Sequence, residues 1–167
     1  AEQPEAPGYF LHDAMLNRQE HPSLDSTLTK SLHALSLEQV LAMGKRGGQL
    51  LDVRDIPEFE GAHLAGALNI AIQGKFATWC GTMLHHDQPI AVIAEPGREE
   101  EAILRLGRIG FDNVMGYLSG GMDSLQDRPD LLQRIDRITA VALADQRATP
   151  DAPMVVDVRS EKEWAAG

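Results

Sequence analysis

Short apolar runs alternate with amphipathic stretches through the middle of the chain. Gln49 to Val53, Ala67 to Ile70, Ile90 to Ala94 and Val114 to Tyr117 are such runs, and a shorter one sits at Ala34 to Leu35. Continuous apolar segments of this length, without polar alternation, predict strands buried on both faces. Between them, Leu37–Lys45, Lys75–Leu84 and Arg98–Ile109 predict helices, and in the last Ala102, Ile103, Leu106 and Ile109 fall on one helical face. Strand and helix in alternation predict an α/β fold, an open and mainly parallel sheet of about five strands with helices on both faces.

The pattern also repeats. Leu51-Asp52-Val53-Arg54 is echoed by Val156-Asp157-Val158-Arg159, Glu58 by Glu163 and Phe59 by Trp164. Upstream, Leu35-Ser36-Leu37 resembles Ile138-Thr139-Ala140. The offset between Asp52 and Asp157, 157 − 52 = 105, is of domain size and predicts two copies of one unit instead of a solenoid. The expected organisation is therefore a poorly periodic segment 1–30, a first unit over 31–128, a charged connector at 129–137 that turns helical from Leu131, and the opening of a second unit at 138–167. Two strands and a helix are expected in that opening, with Val155, Val156, Val158 and Trp164 as its apolar side. The second copy runs out at Gly167, so the sequence reads as a piece of a longer protein.

Composition narrows the function. Hydrophobic residues make up 43% and charged residues 24%, as in soluble globular domains. The net charge of -10 repels phosphate backbones and anionic headgroups, which disfavours nucleic acid and membrane surfaces as partners. No apolar run approaches the roughly 20 residues that span a bilayer. The single cysteine, Cys80, cannot pair within the chain, and a cytoplasmic setting fits.

Leu51-Asp52-Val53-Arg54, Glu58-Phe59 and His63-Leu64-Ala65-Gly66-Ala67-Leu68-Asn69-Ile70 together resemble the rhodanese homology signature. Gly110-Phe111-Asp112-Asn113-Val114 and Gly120-Gly121-Met122 resemble its closing strand and last helix, with Ala62 where the family usually has glycine. The flanks resemble something more specific. Pro4 to Phe10 with Leu16-Asn17-Arg18 is similar to the tail of a metallo-β-lactamase-fold persulfide dioxygenase. Phe76 to Trp79 and Ala94-Glu95-Pro96-Gly97 resemble the middle domain of fusions joining such a dioxygenase to two rhodanese units. That resemblance implies a middle unit without its cysteine, flanking dioxygenase and rhodanese domains in the same chain as partners, no cofactor in this segment and a non-haem iron in the N-terminal domain. It leaves homo-oligomerisation open.

The resemblance puts the nucleophile position at Ala94, and a methyl group cannot carry sulfur. The loop that follows, Glu95, Pro96, Gly97, Arg98 and Glu99, runs into Glu100 and Glu101, so carboxylates occupy the electropositive helix start that an active enzyme leaves for its anion. Pro96 also removes a backbone donor. Asp52, Arg54, His63, Gly66 and Asn69 read as structural: a charge-assisted tie, a hydrogen-bonded histidine and a tight turn. Cys80, the one alternative nucleophile, reads as a buried helical thiol. His85-His86 with Asp87 reads as a solvated loop, since neighbouring residues point apart and no third ligand is evident. His12, His21 and His33 show no ligand spacing; Phe76, Trp79, Met15, Met83, Met115 and Met122 read as core. The favoured function is a non-catalytic spacer and docking module of a sulfide-oxidation enzyme; the alternatives are a sulfurtransferase acting through Cys80 and a regulatory domain with a ligand in the empty loop.

Overall fold

The computed structural model describes residues 31–166, and the chain divides between Ile135 and Asp136 into two units. The first is an α/β unit. Its strands are β1 (Ala34–Leu35), β2 (Gln49–Asp52), β3 (His63–Leu64), β4 (Leu68–Asn69), β5 (Ile90–Ile93), β6 (Val114–Leu118) and β7 (Leu132–Gln133). Its helices are α1 (Leu37–Lys45), α2 (Ile56–Gly61), α3 (Phe76–Met83) and α4 (Glu99–Arg108), with 3-10 turns at Gly121–Leu125 and Pro129–Leu131. Five strands form one parallel sheet in the order β1-β6-β5-β2-β4.

Alternation along the central strands divides the core into two layers. Leu51, Val92 and Ala94 join Phe76 and Cys80 of α3 and Ile103 and Leu106 of α4 in one apolar cluster. Leu50, Ala91 and Ile93 join Val40 and Met43 of α1 and Leu125 in the other. Successive residues of a strand point to opposite faces, so a strand apolar at every position needs helices on both sides. The sheet has that arrangement, as expected.

Local chemistry sets the helix starts. Ser36 caps α1: its hydroxyl accepts the Gln39 amide at 3.3 Å, and the Gln39 side chain accepts the Ser36 amide at 2.8 Å. This reciprocal box satisfies two donors that a helix start leaves open. Asp55 and Glu58 form the equivalent box at α2, with Pro57 in its first turn. In β6 the ladder slips one residue against β5, and Gly116, at φ +146°, lets the backbone press against the His33 carbonyl.

The connector expected to turn helical from Leu131 ends a short 3-10 turn there and runs on as a strand. Leu132–Gln133 pairs antiparallel with His63–Leu64, the Ala65 amide donates to the Leu131 carbonyl at 2.8 Å, and the Ile135 amide donates to the Glu60 carbonyl at 2.9 Å. Those donors gain partners only if the chain runs extended along β3.

The second unit holds α5 (Ala140–Arg147), capped by the Thr139 hydroxyl on the Ala142 amide at 3.2 Å, and α6 (Glu161–Ala165), capped by a Ser160–Glu163 box. The strands expected in 138–167 do not form among its described residues. A parallel strand exists only against a neighbour that accepts its ladder, while capped helices close their own hydrogen bonds. Segment 1–30, with the tail motif, Met15, His12 and His21, lies outside the described residues.

Candidate functional site

The site is built where β5 ends and α4 begins. Ala94 is 2% exposed and belongs to the same apolar cluster as Val92 and Leu51. Its carbonyl faces a close backbone approach: a Cβ added at Gly121, where φ is +51°, would stand 2.8 Å from it. The Gly120-Gly121 turn therefore holds the loop from behind.

After Ala94 the chain turns sharply. The Arg98 amide donates to the Glu95 carbonyl at 2.9 Å, and Gly97 adopts φ +88°. The Gly97 amide donates to Oε2 of Glu99 at 2.7 Å. Arg98 donates through Nε to Oε2 of Glu101 at 2.9 Å, and its Nη2 stands 2.8 Å from that oxygen. Arg105 holds the other oxygen of Glu101 at 2.7 Å and donates to the Ile72 carbonyl at 2.6 Å. Glu99, Glu100 and Glu101 all lie in the first turn of α4, where carboxylates offset the helix dipole. The Gly97 amide and the Arg98 guanidinium are thus held by the chain's own carboxylates.

A cavity of about 90 Å³ lies beside the loop, lined by Val53, Arg54, Asp55, Glu58, Ile72, Glu95 and Arg98. Both guanidiniums on its wall have partners. Arg54 closes on Asp52 with Nη2 to Oδ2 at 2.7 Å and Nε to both oxygens at 3.1 Å, and it also donates to the Ala62 carbonyl at 2.8 Å. Three carboxylates face two paired cations, so the cavity has poor chemistry for an oxyanion.

The remaining signature residues hold the backbone. Asn69 donates to the carbonyls of Asp52 at 3.0 Å and Arg54 at 2.9 Å, which fixes the end of β2. His63 is buried; its Nδ1 is 2.7 Å from the Phe59 carbonyl, and its ring stacks on Phe59 at 3.8 Å. A carbonyl only accepts, so Nδ1 carries the proton. Gly66 turns the chain at φ +82°.

Cys80 is fully buried in α3, and desolvation pushes its thiol up to about 12. It is neutral at physiological pH and unsuited to nucleophilic attack. His86 is not a solvated loop residue: its ring stacks on Phe111 at 4.0 Å, with Nδ1 3.2 Å from the Gly110 carbonyl. Among the described residues no three histidine, cysteine, aspartate or glutamate side chains are grouped to hold a metal. Phe76 is core as expected, but Trp79, Met83 and Met115 are exposed; they sit on the outward side of their elements. Two contacts were not legible in advance. Glu99 reaches Gly97 because of the loop's left-handed turn, and Arg105 reaches across to Ile72 over 33 residues of sequence.

The rhodanese-like domain family model matches residues 36–128. The Alr3790 protein from Anabaena sp. superimposes with a TM-score of 0.55 at 20% identity, covering 66% of this chain and 99% of that one. A metallo-beta-lactamase from Staphylococcus aureus superimposes with a TM-score of 0.55 at 22% identity, covering 71% of this chain and 32% of that one. EanB superimposes with a TM-score of 0.55 at 12% identity, covering 84% of this chain and 36% of that one. No curated protein matches the chain. Similarity at these identities speaks for the fold alone.

Proposed function

The chain belongs to the rhodanese-like domain family, and from that membership we propose that its first unit is a non-catalytic spacer and docking module of a sulfide-oxidation enzyme. One observation carries the reading: Ala94, at the end of β5 where the family resemblance puts the nucleophile, is a core residue, and the loop after it is filled by Glu99 and Glu101 instead of an anionic substrate. Sulfur transfer needs a thiolate stabilised by loop amides and a helix start. Here a methyl group stands at that position, and the Gly97 amide and the Arg98 guanidinium are held by Glu99 and Glu101.

The wider setting follows from the same reading. The Staphylococcus aureus neighbour is named a metallo-beta-lactamase, and the part matched is about a third of its length. A rhodanese-like fold inside such a protein agrees with the tail motif at Pro4 to Phe10. The parent enzyme would oxidise a low-molecular-weight persulfide on a non-haem iron held upstream of this segment, and a further rhodanese-like unit would transfer sulfane sulfur. The module would keep the two active sites within reach of each other, in the cytoplasm, where the lone thiol stays reduced. No helix among the described residues is long and apolar enough to cross a membrane.

A thiosulfate:cyanide sulfurtransferase assay tests the inert reading, with Cys80→Ser as its control. No turnover is expected from either chain. Turnover that persists in Cys80→Ser would remove it; turnover that disappears would transfer the activity to Cys80.

A further inference from the structure

Trp79 and Met83 lie one turn apart on α3 and are 54% and 47% exposed, although the same helix buries Phe76 and Cys80 against the sheet. Together with Ile56, 51% exposed at the start of α2, they line one groove of about 290 Å³. The groove is also lined by Leu68, Asn69, Ile70 and Ala71, which are β4 and the two residues after it. Single apolar side chains on a surface are ordinary, but three around one groove mark a place of contact.

That groove follows a sheet edge. In the order β1-β6-β5-β2-β4, the last strand has a neighbour on one side only among the described residues. The amides of Ile70 and Ile72 donate to the carbonyls of Asp52 and Val53 at 3.0 Å. Successive backbone groups of a strand alternate in direction, so the amides of Asn69 and Ala71 point away from β2. Such an edge presents donors and acceptors that a further strand can take up. Ile70 and Ile72 share one apolar cluster with Phe76 and Cys80, so α3 covers that face of the sheet. With Trp79 and Met83 its cover extends beyond the last strand.

Charge narrows the occupant. Among the residues lining the groove, Lys75 is the only charged one. The first turn of α3 has no carboxylate, whereas that of α4 has three. The lysine and the helix start both favour a negative group at this end of the groove. A second copy of a chain with net charge -10 is repelled as a whole.

We infer that the outer edge of β4 is a docking site for an extended segment of another polypeptide. This segment adds a sixth strand to the sheet, sets apolar side chains against Trp79, Met83 and Ile56, and carries a carboxylate at the end that meets Lys75. Main-chain hydrogen bonds supply the affinity of such an added strand, and its alternate side chains supply the selectivity. The inference goes beyond the reading of the Ala94 loop and does not depend on it, so a sulfurtransferase assay cannot decide it.

The test uses the full chain and a fluorescent synthetic heptapeptide with valine at its three even positions, threonine between them and glutamate at both ends. Fluorescence anisotropy is expected to show saturable binding below about 1 mM. Trp79→Ser should weaken it at least about tenfold, and so should Ala71→Pro, which removes an outward amide that an edge strand can spare. The same peptide with lysine at both ends should also bind at least about tenfold more weakly. Amide exchange at Asn69 and Ala71 should slow when the glutamate peptide is bound. Should Ala71→Pro unfold the chain, Trp79→Ser, at a half-exposed position, and the exchange measurement still decide. Absence of saturable binding overturns the inference, as does binding indifferent to Trp79→Ser or equal for the two peptides. Dimerisation of the chain that Trp79→Ser abolishes would also overturn it, because a second copy would then hold the edge.

Discussion

Oε2 of Glu99 accepts the Gly97 amide at 2.7 Å, so a carboxylate two residues downstream fills the turn in which a rhodanese-like loop would present donors to an anion. The contact depends on Gly97 at φ +88°, a conformation that points the amide back toward the first turn of α4. Glu101 occupies Arg98 in the same way. On the proposed reading, the methyl group of Ala94 and the carboxylates beside it are two features of one loop, and changing one leaves the other in place.

Ala94→Cys is expected to give a thiol that titrates no lower than about pH 7 and an enzyme without useful turnover, because nearby carboxylates and a buried backbone position favour the neutral form. Adding Glu99→Gln removes one negative charge and should lower that thiol's titration point relative to Ala94→Cys alone. Absorbance of the thiolate across pH measures both. A thiol ionised below pH 7 in the single variant would contradict the electrostatic account.

The clamp of Arg54 on Asp52 has nearly the geometry of Arg159 on Asp157, but the first is buried and the second is solvated. Removing one partner of a buried pair leaves the other charge uncompensated, at a cost of about 3–5 kcal/mol. Asp52→Ala should therefore lower the denaturation midpoint severely, while Asp157→Ala should leave it unchanged, since solvent screens an exposed pair. Equal effects of the two substitutions in chemical denaturation would show that the geometry and not the burial sets the cost.

Cys80 gives a pH signature. Burial raises its thiol from 9.0 to about 12. The folded state then binds the proton more tightly than the unfolded chain does. Its contribution to stability is complete below pH 9, declines as the unfolded thiol ionises, and is lost as pH rises through about 12. The stability advantage of the parent over Cys80→Ala should shrink as pH rises above about 9, and the native thiol should resist alkylation at pH 8 until denaturant is added. Fast alkylation of the folded chain would place Cys80 on the surface.

The parts of the fold legible in the sequence are those whose pattern is complete within one element. Helix α1 spans Leu37–Lys45 as the periodicity predicts, and β5 differs from its predicted run only at Ala94. Helix α2 was not anticipated: Ile56 to Gly61 contains a proline and a glycine and buries one side chain, Phe59. Strands β3 and β7 have two residues each, too few for any period, and form because residues 131–135 run back along residues 60–65. Trp79 was expected in the core because of its residue type, yet its helix buries Phe76 and Cys80 instead. At the site, the burial of Ala94 was legible from its place after an apolar run. The contact of Glu99 with Gly97 was not, because it follows from one dihedral angle.

The chain ends supply the last prediction, from two cuts nine residues apart. Ending the chain after Arg137 removes α5, α6 and the exposed run from Met154 to Val158. The described residues of this unit contain no buried side chain, so it contributes little burial against the entropy of ordering it. The melting midpoint should stay within a few degrees of the full chain; a fall of more than about 8 °C, the upper end for 1 kcal/mol in a domain of this size, would make the second unit integral to the first. Ending the chain after Arg128 removes β7 as well. His63 and Leu64 then lose the strand they pair with, the Ala65 amide loses the Leu131 carbonyl, and the Glu60 carbonyl loses the Ile135 amide. Both residues of β3 are buried, so their backbone groups and the Leu64 side chain would be uncovered together. The shorter chain should melt well below the longer one and lose amide protection first at Leu64 and Ala65 in hydrogen exchange. If the two truncated chains melt together, β7 is an appendage and the first unit ends, as the sequence reading has it, at residue 128.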